Sequence, residues 1–414
     1  MSMMRSWILA LGVGVAAAVG TGGCGTTYGV GSYDRTDVGK ALENDAGLVL
    51  GEFPLKQKGV VDGDTIKVGG LGASLRLLGM DTEETFKSEK DRRAYEKGWE
   101  YYLDFKASKT NRPIKVATPL GEDAKKFAKQ WFKGVSVVRL ERDHPKEIKG
   151  RFNRFLTYVF AEKDGKWVNY NVEAVRAGMS PYFTKYGYSR RFHDEFVQAQ
   201  KEARAKQLGI WDPSKEHYLD YDARLTWWEE RAKFVTKWER QAEGRDDIII
   251  LTQWDSMARL KEREGKPTTI VSTVGDVRPG DKGPTRVMLS RRMFSDVPAV
   301  FFDKYVFEDS KIADWKGEPG AVRGRVNTWT NPHNGREQLQ LIVNLPSQVF
   351  TPSYTPPGPV GSQLPGQPKA STPVEKSDPK PEPSEAPESP QESEVDPQPE
   401  TEVTDEAPEE PAKE

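Results

Sequence analysis

Two short acidic clusters flank a basic strand. Val61-Asp62-Gly63-Asp64-Thr65 comes first, and Leu75-Arg76-Leu77-Leu78-Gly79-Met80-Asp81-Thr82-Glu83-Glu84-Thr85 follows. Side chains alternate along a strand, so if Leu75 and Leu77 face one side, Arg76 faces the other. Asp64 and Asp81, at the ends of paired strands, can then converge on one cation. Carboxylate and carbonyl oxygens select a hard ion such as Ca2+ or Mg2+. An arginine beside such an ion is expensive in a core. It is useful where a phosphate sits, because guanidinium binds phosphate oxygens in a bidentate fork. Glu84, three residues beyond Asp81, is close enough to hold a water at the same ion. A second arginine opens Arg154-Phe155-Leu156-Thr157-Tyr158-Val159-Phe160, where the start of a strand lets a side chain reach a cleft. Other chemistries are excluded. The single cysteine, Cys24, allows neither an intramolecular disulfide nor a cysteine-based zinc site, and four scattered histidines allow no HExxH centre.

The elements that must hold these residues follow from periodicity and turn residues. Gly51 to Val68 and Leu75 to Met80 read as strands, with Gly69-Gly70-Leu71-Gly72 as the turn between them. Val135–Arg142 and Arg154–Ala161 read as further strands. Lys87–Lys109 reads as one helix, with Tyr95, Trp99, Tyr102 and Phe105 near helical spacing. Glu122–Lys133, Asn169–Ala177 and Phe192–Leu208 are three more helices, the last closed by Gly209 with Pro213 beyond it. Alone, each of these pieces has an ordinary structural explanation, and Asp-Gly-Asp-Thr is a common turn.

In this order, however, the pieces resemble the staphylococcal nuclease (thermonuclease) family from about residue 55 to Asp212. The matching pieces are Asp62-Gly63-Asp64-Thr65, Arg76-Leu77-Leu78, Asp81-Thr82 with Glu84, Arg154 before Leu156-Thr157-Tyr158, Val168-Asn169, Arg176-Ala177-Gly178 and Leu208-Gly209-Ile210-Trp211. The resemblance implies a five-stranded OB barrel with helices and a Ca2+-dependent phosphodiesterase acting on DNA and RNA. Carried over, it implies that Asp64, Asp81 and the Thr82 carbonyl hold Ca2+, and that Glu84 is the general base or orients the water. It further implies that Arg76 and Arg154 stabilise phosphoryl charge. Tyr186 matches one substrate-contacting tyrosine; Thr184 stands where the other belongs, and Tyr188 is placed to compensate. Two departures stand out. Glu83 replaces the usual proline, which is expected to loosen the loop and add charge beside the metal. A basic, aromatic insert, Phe86–Val116, occupies the place of a short loop beside the site.

The rest of the chain is unlike this part. Of 414 residues, 61 are Lys or Arg and 63 are Asp or Glu, but residues 351–414 carry a net charge of −11 and 16 of the 29 prolines. The remaining 350 residues are basic, with 57 cationic side chains against 48 anionic. A tail so rich in Pro, Glu and Ser buries too little apolar surface to offset chain entropy, so disorder is expected for 351–414. The mean hydropathy of −0.71 and a single apolar segment exclude a multi-span membrane protein. That segment, Trp7–Val19 after Arg5, runs into Gly22-Gly23-Cys24 and describes an export signal over 1–24. Its ending resembles a bacterial lipoprotein signal, which implies lipidation of Cys24 and a membrane anchor. Cleavage without lipid and an uncleaved anchor are the rivals. A linker, 25–50, follows.

After the nuclease-like domain, 51–213, a helical connector is expected over 214–265. Leu225, Trp228, Ala232 and Val235 recur there at helical spacing, as in a helix packed on a neighbouring core. Five candidate strands follow, Thr268–Val274, Thr285–Leu289, Ala299–Phe302, Gly320–Thr328 and Gln338–Val343, implying a small second β-barrel over 266–350. Asn334-Gly335 is a hairpin turn signal. Through this hairpin the segment is similar to single-strand-binding OB domains, which implies a nucleic-acid face made of Arg323, Arg325, Trp329 and Arg336. The fold expected is thus an α+β chain: a five-stranded OB-type barrel with helices, a helical connector and a second OB-like barrel. The function expected is an exported, membrane-tethered, calcium-dependent nuclease of DNA or RNA. The alternative is a catalytically inactive envelope lipoprotein that binds nucleic acid or protein.

Overall fold

A computed structural model describes residues 47–354, apart from 107–114, 151–153, 219, 281–282 and 291–295. The export signal, Cys24, nearly all of the linker and most of the acidic tail lie outside the described residues. The first sheet contains β1 (Val49–Asp62), β2 (Thr65–Val68), β3 (Leu75–Leu77), β4 (Val137–Glu141), β5 (Phe155–Lys163) and β6 (Lys166–Asn169). Its order is β2-β1-β4-β5-β3, with β6 hairpinned onto β5. β2 and β3, the two ends of that order, pack side by side. β1 is long enough to serve two partners: Val49–Pro54 pairs with β4, and Leu55–Asp62 pairs with β2. The register slips between Leu55 and Val60, where Lys58 takes a left-handed φ of 60°. Such a bulge bends a strand and lets it turn the corner of a barrel.

Alternation works as the sequence implies. Leu75 and Leu77 are fully buried, Arg76 between them is half-buried, and β3 runs parallel to β5 with Arg76 opposite Leu156. The barrel is filled by Phe53, Ile66, Val68, Leu75, Leu77, Val138, Leu140, Phe155 and Val159. Burying each such side chain contributes roughly 1.5–3 kcal/mol.

Helix α1 (Glu89–Tyr95) and helix α2 (Trp99–Lys106) divide the span read as one helix. Gly98, at φ 119°, separates them, a conformation a continuous α-helix cannot contain. Helix α3 (Pro119–Trp131) is capped by the Thr118 hydroxyl, which accepts from the Gly121 N–H. Helices α4 (Tyr170–Arg176) and α5 (His193–Ala205) pack on each other and close the barrel core with Tyr170, Val172, Phe196 and Ala199.

Helix α6 (Tyr221–Ala242) links the two barrels. Its Trp228 meets Phe183 edge-on at 4.7 Å, and its Trp238 meets Phe350 at 5.3 Å. The aromatic residues of this helix are thus packing residues. The span read as a helical connector is not helical throughout, because β7 (Ile248–Ile250) pairs in parallel with β8 (Pro267–Arg278) and precedes the short helix α7 (Ser256–Glu262).

The second sheet is β8 (Pro267–Arg278), β9 (Thr285–Ser290), β10 (Val297–Phe301), β11 (Pro319–Thr330), β12 (Glu337–Val343) and β13 (Val349–Phe350), with β7 beside β8. The pairings β8-β9-β10-β12-β11-β8 form a closed ring, in which only β10 and β12 run parallel. Helix α8 (Lys304–Ser310) lies between β10 and β11 along the chain. The first barrel has the same order, with β3 and β5 as its parallel pair. The turn at Asn334-Gly335 sits in a wider loop, because β11 ends at Thr330 and β12 begins at Glu337. The chain expected to be disordered from 351 remains packed to Tyr354, whose hydroxyl donates to Glu318 at 2.5 Å and whose ring meets Trp315.

A buried ion pair ties these parts together. Arg231 of α6 pairs with Glu318 at the start of β11, and its Nε donates to the Lys185 carbonyl at 3.0 Å. The Trp227 indole N–H also donates to Glu318, at 3.0 Å. Removing one partner of such a pair strands the other charge. Arg231→Met is therefore expected to lower stability by about 3 kcal/mol. Urea unfolding checks this, and an unchanged midpoint would contradict the docking described.

Candidate active site

The tight connection between β1 and β2 delivers Asp64. Gly63 is required there: a Cβ would lie 2.7 Å from Thr82 Cγ2 and 2.9 Å from the Ala124 methyl of α3. The Tyr170 hydroxyl donates to the Gly63 carbonyl at 2.7 Å and pins the turn to α4. Thr65 donates to Asp64 Oδ1 at 2.9 Å. Asp81 arrives from the other side, just after β3. Its N–H donates to Ser180 Oγ at 2.8 Å, and the Phe183 N–H holds the Gly79 carbonyl at 3.0 Å.

Arg76 joins the two carboxylates. One terminal nitrogen lies 2.6 Å from Asp64 Oδ2, and the other lies 2.5 Å from Asp81 Oδ1. Phe183 supports the guanidinium from 5.7 Å. Asp81 Oδ2 takes a further cation, Lys115, from the last residues of the insert. The electrostatics follow. Burial pushes the Asp64 carboxyl up, against the pull of Arg76. Burial also penalises Asp81, but Lys115 and Arg76 outweigh it and hold the carboxyl down at about 2. Arg76 is held firmly protonated: the pull of Asp81 and Asp64 overcomes its own desolvation.

Arg154 stands within electrostatic reach of the same group. Burial and the charge of Arg76 push its guanidinium down, while Asp64, Asp81 and Glu84 oppose the shift. Glu84 is at the rim, its side chain 40 % exposed and paired with Lys87 at 3.0 Å. Thr82 is buried beside Gly63. Tyr186 is exposed, beside the Phe183 ring at 5.8 Å and close enough to act on the charge of Arg76. Tyr188 is turned elsewhere, and its hydroxyl donates to Glu229 of α6 at 2.6 Å. So the structure gathers Asp64, Arg76, Asp81, Glu84, Arg154 and Tyr186, and gives Tyr188 a partner on the connector.

Glu83 does not do what its sequence position suggests. It is 1 % exposed, and its carboxylate accepts from the Tyr218 N–H and the Tyr221 hydroxyl, both at 2.8 Å, and from the Thr118 hydroxyl. The loop is therefore tightened rather than loosened, and the added charge turns away from the site. Burial pushes this carboxyl up, against those three hydrogen bonds.

Sequence reasoning missed Lys115, Ser180 and Phe183. Nothing in the pattern around Lys115 marks it, because its role comes from where the insert re-enters the barrel. On the second barrel, Arg323 and Arg325 project outward from β11, and Arg325 donates to the Gly265 carbonyl. Trp329 is half-buried, with Arg286 of β9 at 5.6 Å over its ring, and Arg336 is in the β11–β12 loop. Arg286 was also missed.

Glu83→Ala would leave the Tyr218 N–H, the Tyr221 hydroxyl and the Thr118 hydroxyl without their acceptor. A loss of at least about 2 kcal/mol is expected, with a parallel fall in turnover. Urea titration and an activity assay check it; wild-type stability would contradict the anchoring role.

Comparison with known proteins agrees with this geometry. A family model described as staphylococcal nuclease homologue matches residues 74–213. An uncharacterized protein of Methanocaldococcus jannaschii, MJ1439, is 32% identical over 165 residues, covering 37% of this chain and 69% of that protein. The thermonuclease of Staphylococcus intermedius is 30% identical over 166 residues, covering 40% of this chain and 79% of that enzyme. The SPbeta prophage-derived endonuclease YokF of Bacillus subtilis is 29% identical over 162 residues, 38% of this chain and 43% of its own length. The chain belongs to the staphylococcal nuclease homologue family and is a nuclease, a hydrolase of phosphodiester bonds.

Proposed function

We propose that this nuclease is calcium-dependent and cleaves DNA or RNA through the group gathered around Arg76. The observation that carries the reading is one guanidinium spanning Asp64 and Asp81, with Arg154 in reach and Glu84 at the rim. The donor set fits a hard cation: two carboxylates from separate loops and the Thr82 carbonyl, all oxygen. Among the described residues no group of three or more His, Cys, Asp or Glu is placed to hold a metal. The two carboxylates joined by Arg76, Asp64 and Asp81, are the anionic ligands of this reading. A bound calcium ion would supply Lewis acidity at a phosphoryl oxygen and at a water.

The chain's own residues do the rest. Arg76 and Arg154 place two cationic forks where phosphoryl charge develops, and partial burial strengthens both. Glu84, 40 % exposed at the rim beside Lys87, takes the proton of the attacking water. Tyr186 offers an exposed ring and hydroxyl to the substrate at the mouth. Glu84→Gln is expected to reduce turnover by at least about a hundredfold with little change in folding. Excess chelator is expected to abolish cleavage. Wild-type turnover in Glu84→Gln would remove its base role, and cleavage in chelator would remove the metal-assisted mechanism.

The second barrel is proposed as an accessory nucleic-acid-binding module. Arg323 and Arg325 on one outer face of β11, with Trp329, Arg286 and Arg336 farther along, support this. Trp329→Ala in the whole chain is expected to weaken single-stranded oligonucleotide binding by roughly fivefold or more, in chelator. Unchanged affinity would instead make this barrel a candidate for a protein partner.

Export is the last part of the proposal. Arg5, the apolar run Trp7–Val19 and Gly22-Gly23-Cys24 support a lipid-anchored protein of the bacterial cell envelope. The mature N-terminus is expected to be a lipidated Cys24, with the protein in the membrane fraction. Mass spectrometry decides between this, an unmodified terminus from simple secretion, and an intact Met1 from an uncleaved anchor.

A further inference from the structure

The insert Phe86–Val116 returns to the site through a fixed frame. Glu84 and Ala117 form an isolated parallel bridge, and the Thr118 N–H donates to the Glu84 carbonyl at 3.0 Å. The Val116 N–H donates to the Tyr218 hydroxyl at 2.9 Å, and that hydroxyl donates back to the Val116 carbonyl at 2.5 Å. Phe86, Tyr102 and Val116 are buried with Ile210 and Tyr221 in one apolar cluster. Lys115 is therefore delivered by anchored backbone, and its ammonium rests on Asp81 Oδ2.

Both oxygens of Asp81 are thus committed to protein cations, Arg76 on Oδ1 and Lys115 on Oδ2. A divalent ion arriving at Asp81 meets the charge of both, and the repulsion is relieved when one of them moves away. Arg76 is the harder to move, being 19 % exposed and tied to Asp64 as well. Lys115 has one carboxylate partner, a side chain 43 % exposed, and a flexible four-carbon stem. Of the two cations on Asp81, Lys115 is the one with a path into water, although its charge does more than that of Arg76 to hold the carboxyl down.

We propose that Lys115 is an exchangeable counter-cation: it neutralises Asp81 when no divalent ion is bound and turns to a substrate phosphate when one is. The inference rests on the metal reading above and adds a third, insert-borne cation to Arg76 and Arg154. It gives the insert a direct part in setting metal affinity and substrate binding.

The test uses the whole chain and calcium titrated calorimetrically into wild type, Lys115→Met and Lys115→Arg. Lys115→Met is expected to bind calcium at least about fivefold more tightly, since a competing charge is gone. Lys115→Arg is expected to resemble wild type. On single-stranded DNA, the slope of log kcat/KM against log salt is expected to be shallower by about 0.7 in Lys115→Met, one phosphate contact fewer. Equal calcium affinity would overturn the proposal. Weaker affinity would also overturn it, showing that the ammonium only orients Asp81. Tighter calcium binding with an unaltered salt slope would overturn the exchange onto phosphate. An absence of calcium binding in all three proteins would overturn the proposal together with the metal reading.

Discussion

Arg76 sits between Asp64 and Asp81, two buried carboxylates that repel one another, and it pairs with both, while Lys115 adds a second cation to Asp81. The two aspartate side chains are 12 % and 5 % exposed, so each has lost most of its water. Desolvation of that kind costs several kcal/mol per ion unless opposite charge replaces the solvent. The guanidinium replaces it at both carboxylates at once. Its rigid planar fork also fixes their separation, which a point charge would leave loose. Much of the surrounding structure serves this arrangement. Gly63 clears the space, Tyr170 and Ser180 pin the two loops, and Phe183 backs the arginine. On the proposed reading, these cations, already in place before substrate arrives, would meet the charge of a phosphoryl group.

The loop that carries Asp81 is also tied to parts of the chain far from the barrel. Glu83 joins it to the N-cap of α3 and to Tyr218 and Tyr221 at the start of α6. Farther along α6, Arg231 grips Glu318 of the second barrel and the carbonyl of Lys185, next to Tyr186. Helix α6 is thus tied near its start to the loop that carries Asp81 and farther along to the second barrel. In a protein interior such contacts are costly to leave half-made, which is why their partners are buried together. The second barrel is consequently docked as part of the nuclease framework.

Much of this was legible in the sequence. The alternation of Leu75, Arg76 and Leu77 set the face of the arginine; the parallel pairing of β3 with β5, seen only in the structure, brings Arg154 to the same end. The segments read as strands appear in the two barrels, except that Gly51–Val68, read as one, is divided by the turn at Gly63 into β1 and β2. What was not legible depends on tertiary partners. Glu83 reads as a charge added beside the metal until Tyr218 and Tyr221, 135 and 138 residues away, are seen to satisfy it. Lys115 is one lysine among many until the insert returns it to Asp81. β7 is three isoleucines, too short to be told from a helix end by periodicity. The break at Gly98 was readable, because glycine in a helix interior is unfavourable, but the aromatic spacing on either side concealed it.

The account stands on the fork of Arg76, and Arg76→Lys isolates it. Lysine keeps the charge between Asp64 and Asp81 but gives up the planar, two-pronged geometry. Turnover of single-stranded DNA by this variant, measured at saturating calcium on protein shown to unfold cooperatively, is the direct test. A fall of at least about a hundredfold is the result predicted, the scale of losing one preorganised stabiliser of transition-state charge. Turnover within a few-fold of wild type would contradict the central role given to this arginine.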